Sequence, residues 1–244
     1  MLTGYADVEA LAARAPVMAA LDAAPLRLEE AEIFQAAFEQ PYARRESSLP
    51  PGLHPTSPPL LVLLAWQVAQ SPWGPFALAQ ARVSCRSGAR PRGFVVGCVV
   101  DNPAAAAGLA SEWGLPAVSG SVVLLRRYDR TELVVQTDGR TAVRMVGLNP
   151  DPLSGGDVQF SVTSTLAMTP RGLRLVQLEP EYELRRVERL RPRLDDFDSR
   201  SWGGPQLEPG YPVSATVSVG DITIPSIRYV SRPDVSAFGG TERV

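Results

Sequence analysis

Chemistry in this chain must be sought among glutamine, arginine, tryptophan and carboxylates, because all 24 basic side chains are arginine and lysine is absent. A guanidinium stays protonated and cannot condense with a carbonyl, so a lysine Schiff base is closed to the chain. Gln67, Gln70 and Gln80 fall on or near two hydrophobic segments. As neutral hydrogen-bonding groups they could orient a ligand carbonyl or stabilise a developing enolate. Glu112 is a candidate general base, and Arg82 and Arg92 are candidate bidentate partners for a carboxylate. Trp66 and Trp113 are candidate aromatic walls for a planar or polyene ligand. Each also has a plain structural role open to it: solvent-facing glutamine, a solvated helix-end glutamate, surface strand charges, tryptophans packed in a core. Cys85 and Cys98 form no CxxC pair, and the single His54, expected to be exposed in a Pro-rich loop, completes no Cys/His set. Neither a metal nor a cofactor is expected. Gly155-Gly156 lacks the Lys-Ser/Thr of a phosphate loop, and no Ser/His/Asp arrangement is visible.

The elements that must position these residues are mostly strands. The 244 residues are 45% hydrophobic and 20% charged, as in soluble globular proteins. A net charge of −2 gives no reason to expect nucleic acid or an anionic membrane as partner. The N-terminus carries Asp7 and Glu9 with no basic region, so it does not read as a signal peptide. Leu60–Trp66 and Phe94–Val100 are too short to span a bilayer, and a cytoplasmic protein is expected. Residues 1–30 read as a helical extension, with Val8, Leu11, Met18 and Leu21 as face positions and a break at Pro16. Residues 41–59 read as a long surface loop.

From Pro59 onward the pattern predicts strands at 60–68, 76–84, 94–100, 121–127, 131–137, 141–148, 158–167, 173–178, 213–219 and 222–230. Asp138-Gly139 signals a hairpin, and Thr169-Pro170-Arg171-Gly172 a second turn. Asn102-Pro103 opens a helix running toward Glu112, with Asn as N-cap and Pro at the first position. Residues 183–191 fit either helix or strand. Residues 231–244 read as a flexible tail. The expected class is α+β, mainly antiparallel β, with one main domain over 31–230.

Four landmarks occur in order: Leu49-Pro50-Pro51-Gly52-Leu53 followed by Pro59-Leu60; Val99-Val100-Asp101-Asn102; Trp113-Gly114-Leu115-Pro116; and Gly220-Asp221-Ile222-Thr223-Ile224-Pro225. Together they resemble the acetoacetate decarboxylase family over roughly residues 31 to 230. The resemblance implies a β-barrel or cone around an apolar cavity, usually in a homo-oligomer. It also implies a lysine after the motif proline that forms an imine with a keto acid. Here that position is Ala117. The family's two pocket glutamates fall at Leu64 and near Ala79 or Gln80, its aromatic position before the motif proline at Leu115, and a bulky position near Gly97 or Cys98. The resemblance therefore implies a wider, more apolar pocket than a decarboxylase of small keto acids needs.

The sequence thus points to a non-imine enzyme, with Gln80, Gln67 and Glu112 as catalytic candidates. Leu64, Trp66, Arg82, Gly97, Trp113, Leu115 and Ala117 are the binding candidates. Its expected partner is a small apolar organic substrate. Cyclisation of a bulky polyketide-like intermediate, cycloaddition included, fits because it can proceed without strong acid or base groups. The alternatives are a binding protein that turns nothing over and a lysine-independent dehydratase or isomerase.

Overall fold

Tight turns with left-handed residues set the strand registers. Asp138 and Gly139 take φ of 50° and 72°, as a two-residue type I′ hairpin requires, and Thr137 pairs with Arg140 across them. Gly172 at φ 84° closes the second expected turn, where Thr169 Oγ1 donates to the Gly172 carbonyl at 2.8 Å. The computed structural model describes residues 2–204 and 207–244. In chain order the elements are α1 (Val8–Ala12), β1 (Leu26–Glu39), α2 (Tyr42–Ser47), β2 (His54–Pro55), β3 (Leu60–Gln70), β4 (Phe76–Ser87) and β5 (Arg90–Val100). There follow α3 (Pro103–Trp113), β6 (Ala117–Ser119), β7 (Ser121–Arg126), β8 (Arg130–Thr137), β9 (Arg140–Pro152), β10 (Thr163–Thr169) and β11 (Gly172–Leu178). The chain ends with β12 (Glu181–Phe197), β13 (Pro212–Ile224), β14 (Tyr229–Ser231), α4 (Ala237–Gly240) and β15 (Thr241–Arg243).

The strands form one mixed, mainly antiparallel sheet in the order β15-β14-β11-β10-β5-β4-β3-β1-β13-β12-β9-β8-β7, with β2 on β4 and β6 on β5. The α+β, strand-dominated class holds, but the expected barrel is not closed, because the path ends at β15 and β7 without pairing them. The sheet instead curls. Val122 and Leu124 of β7 join Ala77, Ala79 and Val99 in one core, packing side chain against side chain across the face of β4 and β5. A second core on the opposite face holds Ile33, Leu64, Trp66, Leu78, Cys98 and Val100. It is covered by Ala105, Leu109 and Trp113 of α3, by Ala167 and Val176, and by Met18 and Leu21.

Several local expectations change. The N-terminal helix is only α1, and β1 already starts at Leu26; between them the Met18 N–H donates to the Met168 carbonyl and the Met168 N–H to the Pro16 carbonyl. The 14-residue β1 runs through a Glu- and Ala-rich stretch of low strand propensity, and pairing on both sides by β3 and β13 overrides that preference. Residues 183–191 are strand, inside β12. Residues 158–162 lie outside β10, and β13 runs unbroken where two strands were expected. The 41–59 segment is no surface loop: Leu49, Leu53 and His54 are buried because residues 4–6 hydrogen-bond back onto 46–53. His54 Nδ1 lies 3.1 Å from the Leu2 carbonyl. Residues 231–244 carry α4 and the edge strand β15. Among the described residues no helix is long and apolar enough to cross a membrane.

Candidate functional site

Strand register gathers the polar candidates into one row. Gln35 pairs with Leu64, Leu64 with Gln80, Gln80 with Cys98, and Cys98 with Ala117. Directly opposed residues share a face of a sheet, so these five side chains stand beside one another. Two residues along each strand, Trp66 pairs with Leu78 on one flank and Val62 with Arg82 on the other. The face thus presents Trp66, Leu64, Gln80, Arg82 and Cys98 together.

Arg82 is the centre of this group and is 1% exposed. Its Nε donates to Gln80 Oε1 at 2.7 Å and its Nη1 to the Ser161 carbonyl at 3.2 Å, while Nη2 is enclosed without a partner. Gln80 Nε2, Trp66 Nε1 and the Tyr182 hydroxyl are likewise enclosed and unpartnered. Tyr182 meets Trp66 edge-on at 6.4 Å between ring centroids and stacks on Phe160 at 4.1 Å. The irregular segment 158–162 is held across this face. Gln35 Nε2 donates to the Gln159 carbonyl at 3.2 Å, Arg82 holds Ser161, and the Phe160 ring lies between them in sequence.

Burial dominates the electrostatics. It depresses the Arg82 pKa, and the nearby Tyr182 and Cys98 act in the opposite sense. Burial also pushes the Tyr182 phenol and the Cys98 thiol up to about 12, so both are neutral at pH 7. Among the described residues no carboxylate forms an ion pair with Arg82. The arrangement is a set of hydrogen-bond donors and one positive charge in a desolvated setting, next to an aromatic wall. It can bind and polarise an oxygen but offers no poised general base.

The motif after α3 borders the same core. Gly114, at φ 66°, ends the helix, and its carbonyl accepts from Thr165 Oγ1 at 2.6 Å. That turn buries Trp113 and Leu115, and Ala117 packs against the same core at half burial. Four sequence candidates lie elsewhere. Gln67 is exposed and pairs with Glu32 and Ala77 on the reverse face, where it lines a groove of about 830 Å³ with Glu30 and Asp101. Gly97 also faces away: a Cβ there would stand 2.5 Å from the Trp202 carbonyl oxygen, and its neighbour Cys98 takes the inner position. Glu112 is exposed on the last turn of α3. Arg92 is buried at the other end of β5, where it donates to Gln177 at 2.8 Å and pairs with Glu179 at 3.3 Å.

Gln35, Phe160 and Tyr182 escaped the sequence reading. Gln35 had a signal, as a polar residue inside the apolar run Ile33-Phe34-Gln35-Ala36-Ala37. Tyr182 and Phe160 had none, because their roles depend on β12 and the 158–162 segment meeting over the sheet.

No protein-family model matches the chain, and no curated protein matches it in sequence. Solved structures do match. Acetoacetate decarboxylase from Legionella pneumophila shares 18% identity at a TM-score of 0.71, covering 84% of this chain and 86% of that one. The enduracididine biosynthesis enzyme MppR, complexed with pyruvate, shares 18% at a TM-score of 0.69, covering 87% and 97%. An acetoacetate decarboxylase-like enzyme from Sphingomonas wittichii shares 15% at a TM-score of 0.65, covering 84% and 92%. At such identities the likeness speaks for architecture, and the chain therefore carries an acetoacetate decarboxylase-like fold.

Proposed function

We propose that this chain is an enzyme of natural-product biosynthesis that works without an imine, closing a ring in a bulky, largely apolar, polyketide-like intermediate. Cycloaddition is included in that class. The observation that carries the proposal is the cluster of enclosed, unpartnered donors on Trp66, Gln80, Arg82 and Tyr182. Donors that hold a conjugated oxygen shift electron density along the double bonds attached to it and fix the end of the chain from which ring closure starts, and no proton need be removed first. The Phe160–Tyr182 stack and Trp66 supply flat walls that hold a folded chain near its reactive shape.

Alanine at 117, where the resemblance places the imine-forming lysine, and the total absence of lysine support a route that avoids covalent attachment. MppR, one of the structural neighbours, is itself a biosynthetic enzyme for enduracididine, which supports a biosynthetic role on this scaffold. The proposal includes a cytoplasmic homo-oligomer, supported by the exposed apolar residues Val118, Val123 and Leu125 on β6 and the edge strand β7.

The test is a mass-spectrometric survey of what the protein carries when purified from its native producer, followed by incubation with the precursor of the molecule found. A product of unchanged mass, formed only with active protein, supports ring closure. Release of carbon dioxide overturns it in favour of decarboxylation, and a ligand returned unchanged overturns it in favour of a binding protein.

A further inference from the structure

We infer that the group seated on Arg82 is a planar organic monoanion, the enolate of a cyclic β-dicarbonyl, rather than a neutral ketone. The inference deepens the proposed function by naming the head group of the substrate. Its test reads binding and not turnover, so it can fail while ring closure stands, and the reverse.

A buried guanidinium without a counter-charge is costly, and proteins normally bury arginine only when it is paired. Here the polypeptide supplies Arg82 with two neutral acceptors, Gln80 Oε1 and the Ser161 carbonyl, and leaves Nη2 unpartnered. The contrast within the chain is direct: Arg92, also buried, has Glu179 at 3.3 Å. Around Arg82 the remaining unpartnered groups are donors or donor-capable: Gln80 Nε2, Trp66 Nε1 and the Tyr182 hydroxyl. A site with several free donors, a net positive charge and no carboxylate among the described residues is complementary to a ligand that brings both acceptors and the negative charge. The nearest ionisable side chains, Tyr182 and Cys98, do not supply that charge at neutral pH.

The layout favours an enolate over a carboxylate. Trp66 sits on β3, Gln80 and Arg82 on β4, and Tyr182 on β12. β3 and β4 are neighbours about 4.8 Å apart, while β12 lies three strands from β3 and brings Tyr182 onto Trp66 by ring contact, so the donors stand on three separate elements. The two oxygens of a cyclic β-dicarbonyl are splayed on either side of the ring and can meet separated donors. The geminal oxygens of a carboxylate suit a single fork. The stacked Phe160 and Tyr182 rings add a flat surface suited to a delocalised ring.

The experiment is titration calorimetry, with thermal unfolding alongside, on the full chain at pH 7.5 or so with four probes. These are 1,3-cyclohexanedione, which is ionised near neutrality, its neutral ether 3-methoxy-2-cyclohexenone, benzoate and methyl benzoate. The dione anion is expected to bind at least about tenfold more tightly than its ether, a difference of about 1.4 kcal/mol. Arg82→Met is expected to erase that preference. The wild-type comparison of anion with ether stands even if the variant does not fold. Equal or tighter binding of the ether, a preference that survives in a folded Arg82→Met protein, or no binding of any probe overturns the inference. Benzoate binding more tightly than the dione overturns the enolate assignment in favour of a carboxylate.

Discussion

Removing the buried charge together with its glutamine partner should strengthen the fold while weakening the site. The perturbation is the double substitution Arg82→Met with Gln80→Leu, at two side chains that are each 1% exposed. Two contributions decide the sign. Replacing buried ionic groups with packed apolar side chains is often neutral or stabilising by about 1–4 kcal/mol. Against this stands the loss of hydrogen bonds to the guanidinium, each contributing about 1.5–3 kcal/mol when its acceptor is left stranded. In the double variant one acceptor, Gln80 Oε1, leaves together with its donor, and the other, the Ser161 carbonyl, belongs to a half-buried segment that water can reach. The expected net is a gain of about 1–3 kcal/mol, and a chain of this length gains about 2–4 °C in Tm per kcal/mol. Arg82→Met alone strands Gln80 Oε1 beside the already unpartnered Nε2 and should be less stable than the double variant by about 1–3 kcal/mol. Urea unfolding of the wild type, both single variants and the double variant measures the coupling. A double variant less stable than wild type by more than about 1 kcal/mol would refute the reasoning, because Arg82 would then be a satisfied structural residue.

Other sites give independent checks. Gly97→Ala should cost about 1–3 kcal/mol in urea unfolding, because the new Cβ meets the Trp202 carbonyl at 2.5 Å; ligand binding at Arg82 should be unaffected, since Gly97 faces the reverse core. Burial raises both thiols from 9.0 to about 12, so between these values the unfolded chain ionises first and stability falls as pH rises, by up to about 4 kcal/mol per thiol. Denaturation curves between pH 8 and 10.5 or so should show that decline, and a thiol reagent at pH 8 should be silent until the chain unfolds. Ala117→Lys should constrict the row at Cys98 and reduce activity; activity at the wild-type level would mean that residue 117 does not line the site.

The sequence and the structure agree where a local rule decides the outcome and part where distant segments decide it. Asp138-Gly139 reads correctly because a type I′ turn needs two left-handed residues and that pair supplies them. Asn102 and Pro103 start α3 for similarly local reasons. The opposite outcomes for Gln67 and Gln80 were partly legible. Alternation puts Gln67 on the face opposite Leu64 and Trp66, since three and one are odd separations. Which residue of β4 meets Leu64 depends on register, and register came only with the fold. Gly97 failed for a subtler reason: the irregularity between Ala81 and Arg82 leaves Val96 without a partner, so alternation along β5 slips by one residue. Strand β1 was missed because its glutamates and alanines favour helix in isolation, and only its neighbours make it a central strand.

A site built from donors and walls distributes its effect differently from one built on a nucleophile. Holding two reacting parts of one chain in a productive fold can supply about 7–11 kcal/mol of barrier reduction. A single oxyanion donor supplies about 2.7–4 kcal/mol. If ring closure is the reaction, the aromatic walls carry the larger share and Arg82 the smaller. Arg82→Met should then lower kcat by about 10²–10³ and leave measurable turnover, unlike loss of a covalent nucleophile. Phe160→Ala removes the ring stacked on Tyr182 at 4.1 Å and should change the product distribution as well as the rate, because a looser wall admits other folded shapes. Product analysis of the two variants separates the contributions. An Arg82 variant that yields new ring isomers, or a Phe160 variant that slows without changing them, would reverse the assignment of polarisation to one and folding to the other.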